Sequence, residues 1–223
     1  MIIAIDGACR KPGTPECLAI GVMVVKDLNS DKIITHSAVV EEGSTGQRGE
    51  ILGLLQALEF CVNSGDELHY IITDSEYICN CVNKEWYKNW ENKGWLTAEG
   101  SEVKNKDLWV YVSEMFSILT DKEVVVYHIK GHVLPFGKAT AKKLIESDAS
   151  LQTLYNAVAE KFDVEYPKRQ KELDLACALF EKNNGISMEK DSEVLRELVI
   201  GNVMADLIAS AYADAVNNLG SVS

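Results

Sequence analysis

Four carboxylates in this chain stand where a carboxylate is costly. Asp6 follows the apolar run Ile2-Ile3-Ala4-Ile5, inside a first strand. A charge there must be paired or metal-bound, unless Asp6 only opens the turn Gly7–Gly13. Glu50 shares a helix face with Leu54, Ala57 and Leu58, so it interrupts an apolar stripe. Its other reading is an acid favoured by the dipole of a nearby helix N-terminus. Asp74 ends the run Tyr70-Ile71-Ile72-Thr73 and begins a helix. That junction suits an N-cap, and it is also where α/β sheets present ligands at the carboxyl ends of strands. Asp206 sits in Val203-Met204-Ala205-Asp206-Leu207-Ile208-Ala209, and a charge buried on such a helix is rarely idle.

Two acids on strands and two on apolar helix faces can meet at one end of a sheet. Such a cluster repels itself and is tolerable only around cations. Hard oxygen ligands favour magnesium or manganese, and two such ions about 3.5–4 Å apart support in-line displacement at phosphorus.

The elements that must carry these acids are legible in outline. Apolar bursts at Ile2–Ile5, Leu18–Val25 and Ile33–Val40 are separated by Pro12-Gly13 and Asn29-Ser30-Asp31, as antiparallel strands are by turns. Ser44-Thr45-Gly46-Gln47 has the spacing of a capping box before a helix to about Val62. A strand at Leu68–Thr73, a helix from Asp74-Ser75, a helix over 107–119 and a strand at Val124–Ile129 follow. Residues 84–106 hold four aromatics, five lysines and four glutamates without a period. From Lys138 to Asn217 the pattern is helical, broken at Tyr166-Pro167 and Asn183-Asn184-Gly185. Three antiparallel strands followed by β-α-β units predict one mixed five-stranded sheet with helices on both faces.

Composition narrows the class. The 223 residues have an ordinary 47% hydrophobic share, and no run of 18 apolar residues or signal peptide is read. A soluble cytoplasmic protein with no membrane contact is expected. The six cysteines (Cys9, Cys17, Cys61, Cys79, Cys81, Cys177) lack a zinc spacing and read as reduced, buried small hydrophobes. A net charge of −12 argues against phosphate binding, but four acids loaded with two divalent cations become locally neutral.

Several segments then fall into a known order: Ile5-Asp6-Gly7, Thr45-Gly46-Gln47-Arg48-Gly49-Glu50, Thr73-Asp74-Ser75-Glu76-Tyr77, Gly94-Trp95-Leu96-Thr97-Ala98, Val103-Lys104-Asn105-Lys106-Asp107-Leu108-Trp109, Lys130-Gly131-His132 and Gly201-Asn202-Val203-Met204-Ala205-Asp206. In this the chain resembles the type 1 ribonucleases H over residues 1–132 and about 201–217. The resemblance implies an RNase H-like α/β fold and endonucleolytic hydrolysis of the RNA strand of an RNA–DNA hybrid. It implies two Mg2+ ions, for which Mn2+ can substitute, held by Asp6, Glu50, Asp74 and Asp206, with 5′-phosphate and 3′-hydroxyl products. His132 would assist proton transfer or product release, a task suited to histidine because it titrates near neutral pH. His36, His69 and His128 have no such context and read as structural. Gly7, Ala8 and Gln47 would meet nucleotides near the site, Thr45 and Asn105 a DNA phosphate, and Trp90 the DNA sugar-phosphate edge. Trp86 and Trp95 would instead hold the 84–106 handle together.

The departures are as informative. Arg10-Lys11-Pro12 replaces a family asparagine, and Glu76 is an acid close to where RNA would lie. The handle nets only +1, so hybrid affinity is expected to be low and salt-sensitive. Between His132 and Asn202 stand 69 residues where the family has a short loop, with ten basic and twelve acidic side chains. The expected organisation is a core over 1–137, a helical insert over 138–200, and a C-terminal catalytic helix over 201–223. The insert is expected at the lip of the site, replaceable by a linker, with Lys138, Lys142, Lys143 and Lys168-Arg169-Gln170-Lys171 either extending the groove or forming a solvated face. Alternatives are a junction resolvase or double-stranded-RNA nuclease on the same fold, or a non-catalytic hybrid-binding module.

Overall fold

The computed structural model describes residues 1–11, 14, 17–27, 32–42, 45–132, 134, 136, 139, 143, 150–168, 170–185 and 193–220. Five strands are ordered β3-β2-β1-β4-β5. They are β1 (Ile2–Arg10), β2 (Leu18–Lys26), β3 (Ile33–Glu42), β4 (Leu68–Thr73) and β5 (Glu123–His128). β1 pairs antiparallel with β2 and parallel with β4. β4 in turn pairs parallel with β5. The mixed sheet read from the sequence is therefore present, with β1 at its centre.

Seven helices are described: α1 (Gly46–Asn63), α2 (Glu76–Asn83), α3 (Trp86–Asn92), α4 (Lys106–Ile118), α5 (Leu151–Glu165), α6 (Gln170–Asn184) and α7 (Glu193–Gly220). The side-chain alternation of a strand divides β1 between two cores. Ile3 and Ile5 join Met23, Ile71, Leu54, Leu58 and Trp109 on the face of α1 and α4. Ile2 and Ala4 join Ile20, Val22, Val24 and Ile72 on the opposite face, under α5, α6 and α7.

That second face changes the reading of the insert. Leu154, Tyr155, Val158 and Phe162 of α5, Cys177 and Phe180 of α6, and Leu195, Leu198 and Val199 of α7 lie in the same buried cluster as the strands. The expected boundary near residue 200 also falls inside one continuous helix, Glu193–Gly220. The block expected at the lip of the site also covers a face of the sheet, where its apolar stripes leave water. Of its lysine clusters, Lys138, Lys142 and Arg169 lie outside the described residues, and Lys143, Lys168 and Lys171 are exposed.

A polar chain runs through this packing. Lys26 Nζ at the end of β2 lies 2.8 Å from Glu197 Oε2, both side chains being less than a tenth exposed. The Tyr155 hydroxyl donates to Glu197 at 2.9 Å. Arg196 donates to Glu197 at 2.8 Å and forks onto Asp163 with two bonds of 3.0 Å. The pair ties α7 and α5 to the sheet.

Candidate active site

Each acid reaches the site by a different local route. β1 continues past Asp6 to Arg10, and Asp6 pairs in register with Val22, so it is a buried strand residue and does not open a turn. Asp74 directly follows β4, but the cap of α2 is Ser75, whose Oγ accepts from the Ile78 N–H. Capping is thus not what Asp74 does. Glu50 lies in the second turn of α1, whose cap residue Thr45 makes no side-chain cap bond; Ser44, the first residue of the expected capping box, lies outside the described residues.

The approach of α1 to β1 depends on Gly7. A Cβ at Gly7 would come within 2.3 Å of the Glu50 backbone nitrogen, closer than any side chain permits. Gly131 plays the same part from the other side: a Cβ there would meet Asp74 Oδ2 at 2.1 Å. The two glycines let a helix and a loop close directly onto the acids.

One oxygen each from Asp6, Glu50 and Asp74 lies within 4.8 Å of the others. Asp206 stands beside this trio: its Oδ2 is 3.6 Å from His132 Nδ1, and its charge acts on Asp74. Burial, reinforced by the charges of Asp6 and Asp74, pushes the Glu50 carboxyl well above the ordinary carboxylate range, against the pull of a hydrogen bond from the Gly7 backbone. Burial also raises Asp74, and Asp206 adds to it while His132 and His128 oppose it. Glu50 Oε2 is a buried oxygen with no hydrogen-bond partner. Crowded acids with raised affinity for protons and an unsatisfied buried oxygen fit a site for a divalent cation, because a cation supplies the missing counter-charge. The Cys79 thiol beneath them, raised to about 12 mainly by burial, stays protonated and inert at neutral pH.

His132 sits in the left-handed region at φ 56 with its ring exposed. The residues expected to meet nucleic acid divide by burial. Gln47 is exposed in the first turn of α1. The Gly7 N–H donates to Asp6 Oδ1 at 2.7 Å, and Ala8 packs partly on the insert-side core. Thr45 Oγ1 and Asn105 Nδ2 are buried without partners, Asn105 holding φ 56 at the start of α4. Trp90 packs edge-on against Trp109 and Trp86, at 5.6 and 6.4 Å, so it belongs to the aromatic cluster of the handle, whereas Trp86, expected inside that cluster, is exposed.

Two features were not legible beforehand. Arg48 forks onto Asp107 at 3.1 and 2.6 Å and bonds Glu41 at 2.7 Å, tying α1 to α4 and β3 beside Thr45. His128, read as structural, has its Nε2 3.2 Å from the Asp74 backbone carbonyl; only its place at the end of a strand parallel to β4 hinted at this.

The fold and the carboxylate cluster define an α/β protein whose polar centre lies where adjacent strands end between two helical layers. The sequence profile of RNase H matches residues 1–150. Ribonuclease H of Syntrophomonas wolfei is 32% identical over 132 residues, covering 59% of this chain and 84% of that protein. Ribonuclease H of Ruthia magnifica is 35% identical over 133 residues, covering 59% and 83%. Among solved structures, prototype foamy virus protease-reverse transcriptase superposes with a TM-score of 0.50 at 22% identity, over 59% of this chain and 17% of that one. The chain belongs to the RNase H family.

Proposed function

We propose that this chain is an endonuclease that hydrolyses the RNA strand of RNA–DNA hybrids at Asp6, Glu50, Asp74 and Asp206, leaving 5′-phosphate and 3′-hydroxyl ends. The observation that carries this reading is the convergence of Asp6, Glu50 and Asp74 within 4.8 Å, around an unsatisfied buried Glu50 oxygen. Those three and Asp206 would hold two magnesium ions, or manganese in their place. Bound there, the ions supply charge that activates water and stabilises the leaving oxygen.

The chain's own residues do the rest. Asp6 and Asp74, from neighbouring parallel strands, fix the direction from which a phosphodiester approaches. Glu50 would lie close to the ribose 2′-hydroxyl, the group that distinguishes RNA from DNA. His132, on its exposed turn beside Asp206, carries a proton at Nδ1 toward or away from the reacting oxygens. Thr45 Oγ1 and Asn105 Nδ2, both lacking partners, would bind a phosphate of the DNA strand, while Gly7, Ala8 and Gln47 would meet nucleotides near the site and Trp90 would pack against the DNA sugar-phosphate edge. Among the described residues no helix is long and apolar enough to cross a membrane. The six free cysteines suit a reducing compartment, and the cytoplasm is the proposed location.

The test is cleavage of matched hybrid, RNA–RNA, DNA–DNA, branched-DNA and single-stranded substrates with magnesium. Cutting confined to the RNA of the hybrid is expected. Asp6→Asn, which keeps shape and removes a charge, should abolish it and leave hybrid binding nearly intact. Retained cleavage in that variant would sink the assigned site. Equal cutting of RNA–RNA would point to a double-stranded-RNA nuclease, cutting of branched DNA alone to a resolvase, and binding without cleavage to a non-catalytic module.

A further inference from the structure

The backbone of Asp74 is linked to the helical insert through His128. The Asp74 backbone carbonyl can only accept, so the His128 Nε2 that lies 3.2 Å from it carries the proton. Nδ1 of the neutral ring is then an acceptor, and Asn183 Nδ2 lies 2.8 Å from it. The neighbouring asparagine grips the backbone of the same residue. Asn184 Oδ1 accepts from His128 N–H at 2.8 Å, and Asn184 Nδ2 donates to the His128 carbonyl at 2.9 Å. The same Nδ2 also donates to Phe180 O in its own helix, at 2.7 Å.

The geometry explains why two amides converge there. β5 is an edge strand, and Ile129 N–H turns inward to Thr73 O at 3.0 Å. His128, one residue earlier, therefore points its N–H and carbonyl outward, where an edge strand has no ladder partner. The Asn184 side chain supplies a rung of that ladder. α6 is brought to this position by Phe180, whose ring meets Tyr127 edge-on at 5.3 Å, and it ends there because Gly185 takes φ +70. After His128 the chain turns through Gly131, packed on Asp74, to His132. One clamp at His128 thus holds the carbonyl of one proposed metal ligand and the root of the turn that carries the proposed proton carrier.

We infer that Asn183 and Asn184 are positioning residues for the metal site, acting on Asp74 through His128, so that the insert is an integral part of the active centre. The inference rests on the reading of Asp74 as a metal ligand. A helix end serving only its own cap would need the Phe180 contact; the other three hydrogen bonds go to a single strand residue adjoining the site.

The test uses the full chain stripped of metal, titrated with Mn2+ by calorimetry without substrate, well below the melting temperature. Asn184→Ala and His128→Phe should weaken Mn2+ binding about tenfold, the lower end of what partners behind a ligand contribute. They should lower kcat and leave KM for the hybrid unchanged. His128→Gln, whose amide nitrogen reaches the position of Nε2 and keeps the donor to Asp74, should restore affinity to within about twofold of the parent. Asn183→Ala, exposed and outside the core, should act in the same direction and remain folded if the others do not. A fall in melting temperature with parental Mn2+ affinity in Asn184→Ala, His128→Phe and Asn183→Ala would overturn the inference and leave the metal site standing. Parental Mn2+ affinity in Asp74→Asn would remove the metal-ligand reading itself, and the inference with it.

Discussion

On the α1/α4 face, the sheet meets its helices mainly through apolar side chains and through glycines that let backbones touch, Gly7 against Glu50 being the tightest. On the α5–α7 face an equally buried apolar cluster is threaded by the Lys26–Glu197 pair, the Tyr155 hydroxyl and, at its edge, Asn183 and Asn184. Each face sends one acid to the site, Glu50 from α1 and Asp206 from α7. The first face combines close approach with the bonds of Arg48 and Gln56, whereas the second is joined through an ion pair that is itself buried. Apolar packing is tolerant of small slides, whereas a buried ion pair is satisfied in one arrangement only. A helical block added to a fold can therefore be held in register by a few polar contacts.

The largest expected effect follows from removing the second face. Replacing residues 138–198 with a short Gly-Ser linker should lower stability steeply, because Leu154, Tyr155, Val158, Phe162, Cys177 and Phe180 leave the buried cluster and only residues 199–220 remain on that face of β1 and β2. Circular dichroism and urea titration read this directly. A cooperative transition with parental midpoint would show that the insert-side core is dispensable and that the comparison of faces is wrong.

Single substitutions separate the two faces. Lys26→Met should cost about 3 kcal/mol, the low end for breaking a buried pair, since Arg196 still reaches Glu197. Adding Glu197→Gln should recover much of that loss, because both charges are then gone. Leu58→Ala on the α1 face should cost about 2–5 kcal/mol through a cavity that no second polar change repairs. Denaturant midpoints for the set decide it; a Lys26→Met, Glu197→Gln double variant no more stable than Lys26→Met would deny the polar face its distinct character.

The smallest effect lies in the pH dependence of the metal-free protein. Glu50 has a folded-state pKa above its ordinary value of 4.5. Its contribution to stability is therefore fully present below that value and is lost as pH rises through the higher folded pKa, where a buried charge must form. In a chelator, the melting temperature of Glu50→Gln minus that of the parent should grow as pH rises above the ordinary value of 4.5. Saturating divalent metal should shrink the difference, since it favours the ionised parent. A gap that is constant with pH would mean that Glu50 is not desolvated as the geometry requires.

Legibility differed by the range of the interaction. Strand alternation in Ile2–Ile5 and Leu18–Val25, the 3.6-residue stripe through Glu50 and the helix-ending Asn183-Asn184-Gly185 are local patterns, visible because one face of each element meets water. Misplaced acids were visible for the same reason, as charge standing among apolar neighbours. Whether Asp74 capped a helix could not be read, since Ser75 beside it is an equally good cap and only the backbone geometry chooses. Which of Trp86 and Trp90 is the more exposed could not be read, because both are aromatic in a segment without a period.

Local periodicity and the unusual placing of Asp6, Glu50, Asp74 and Asp206 among apolar neighbours were thus determined by the amino-acid sequence, each being a property of a few consecutive residues. Tertiary structure alone decided that α5–α7 would cover a sheet face, that Lys26 would meet Glu197 across 171 positions, and that Asn184 would complete the edge of β5 behind Asp74. The physical reason is that composition states how much apolar surface a segment must bury and how many polar groups need partners. It does not state which distant surface will provide them; that choice is made by the arrangement that satisfies all the elements together.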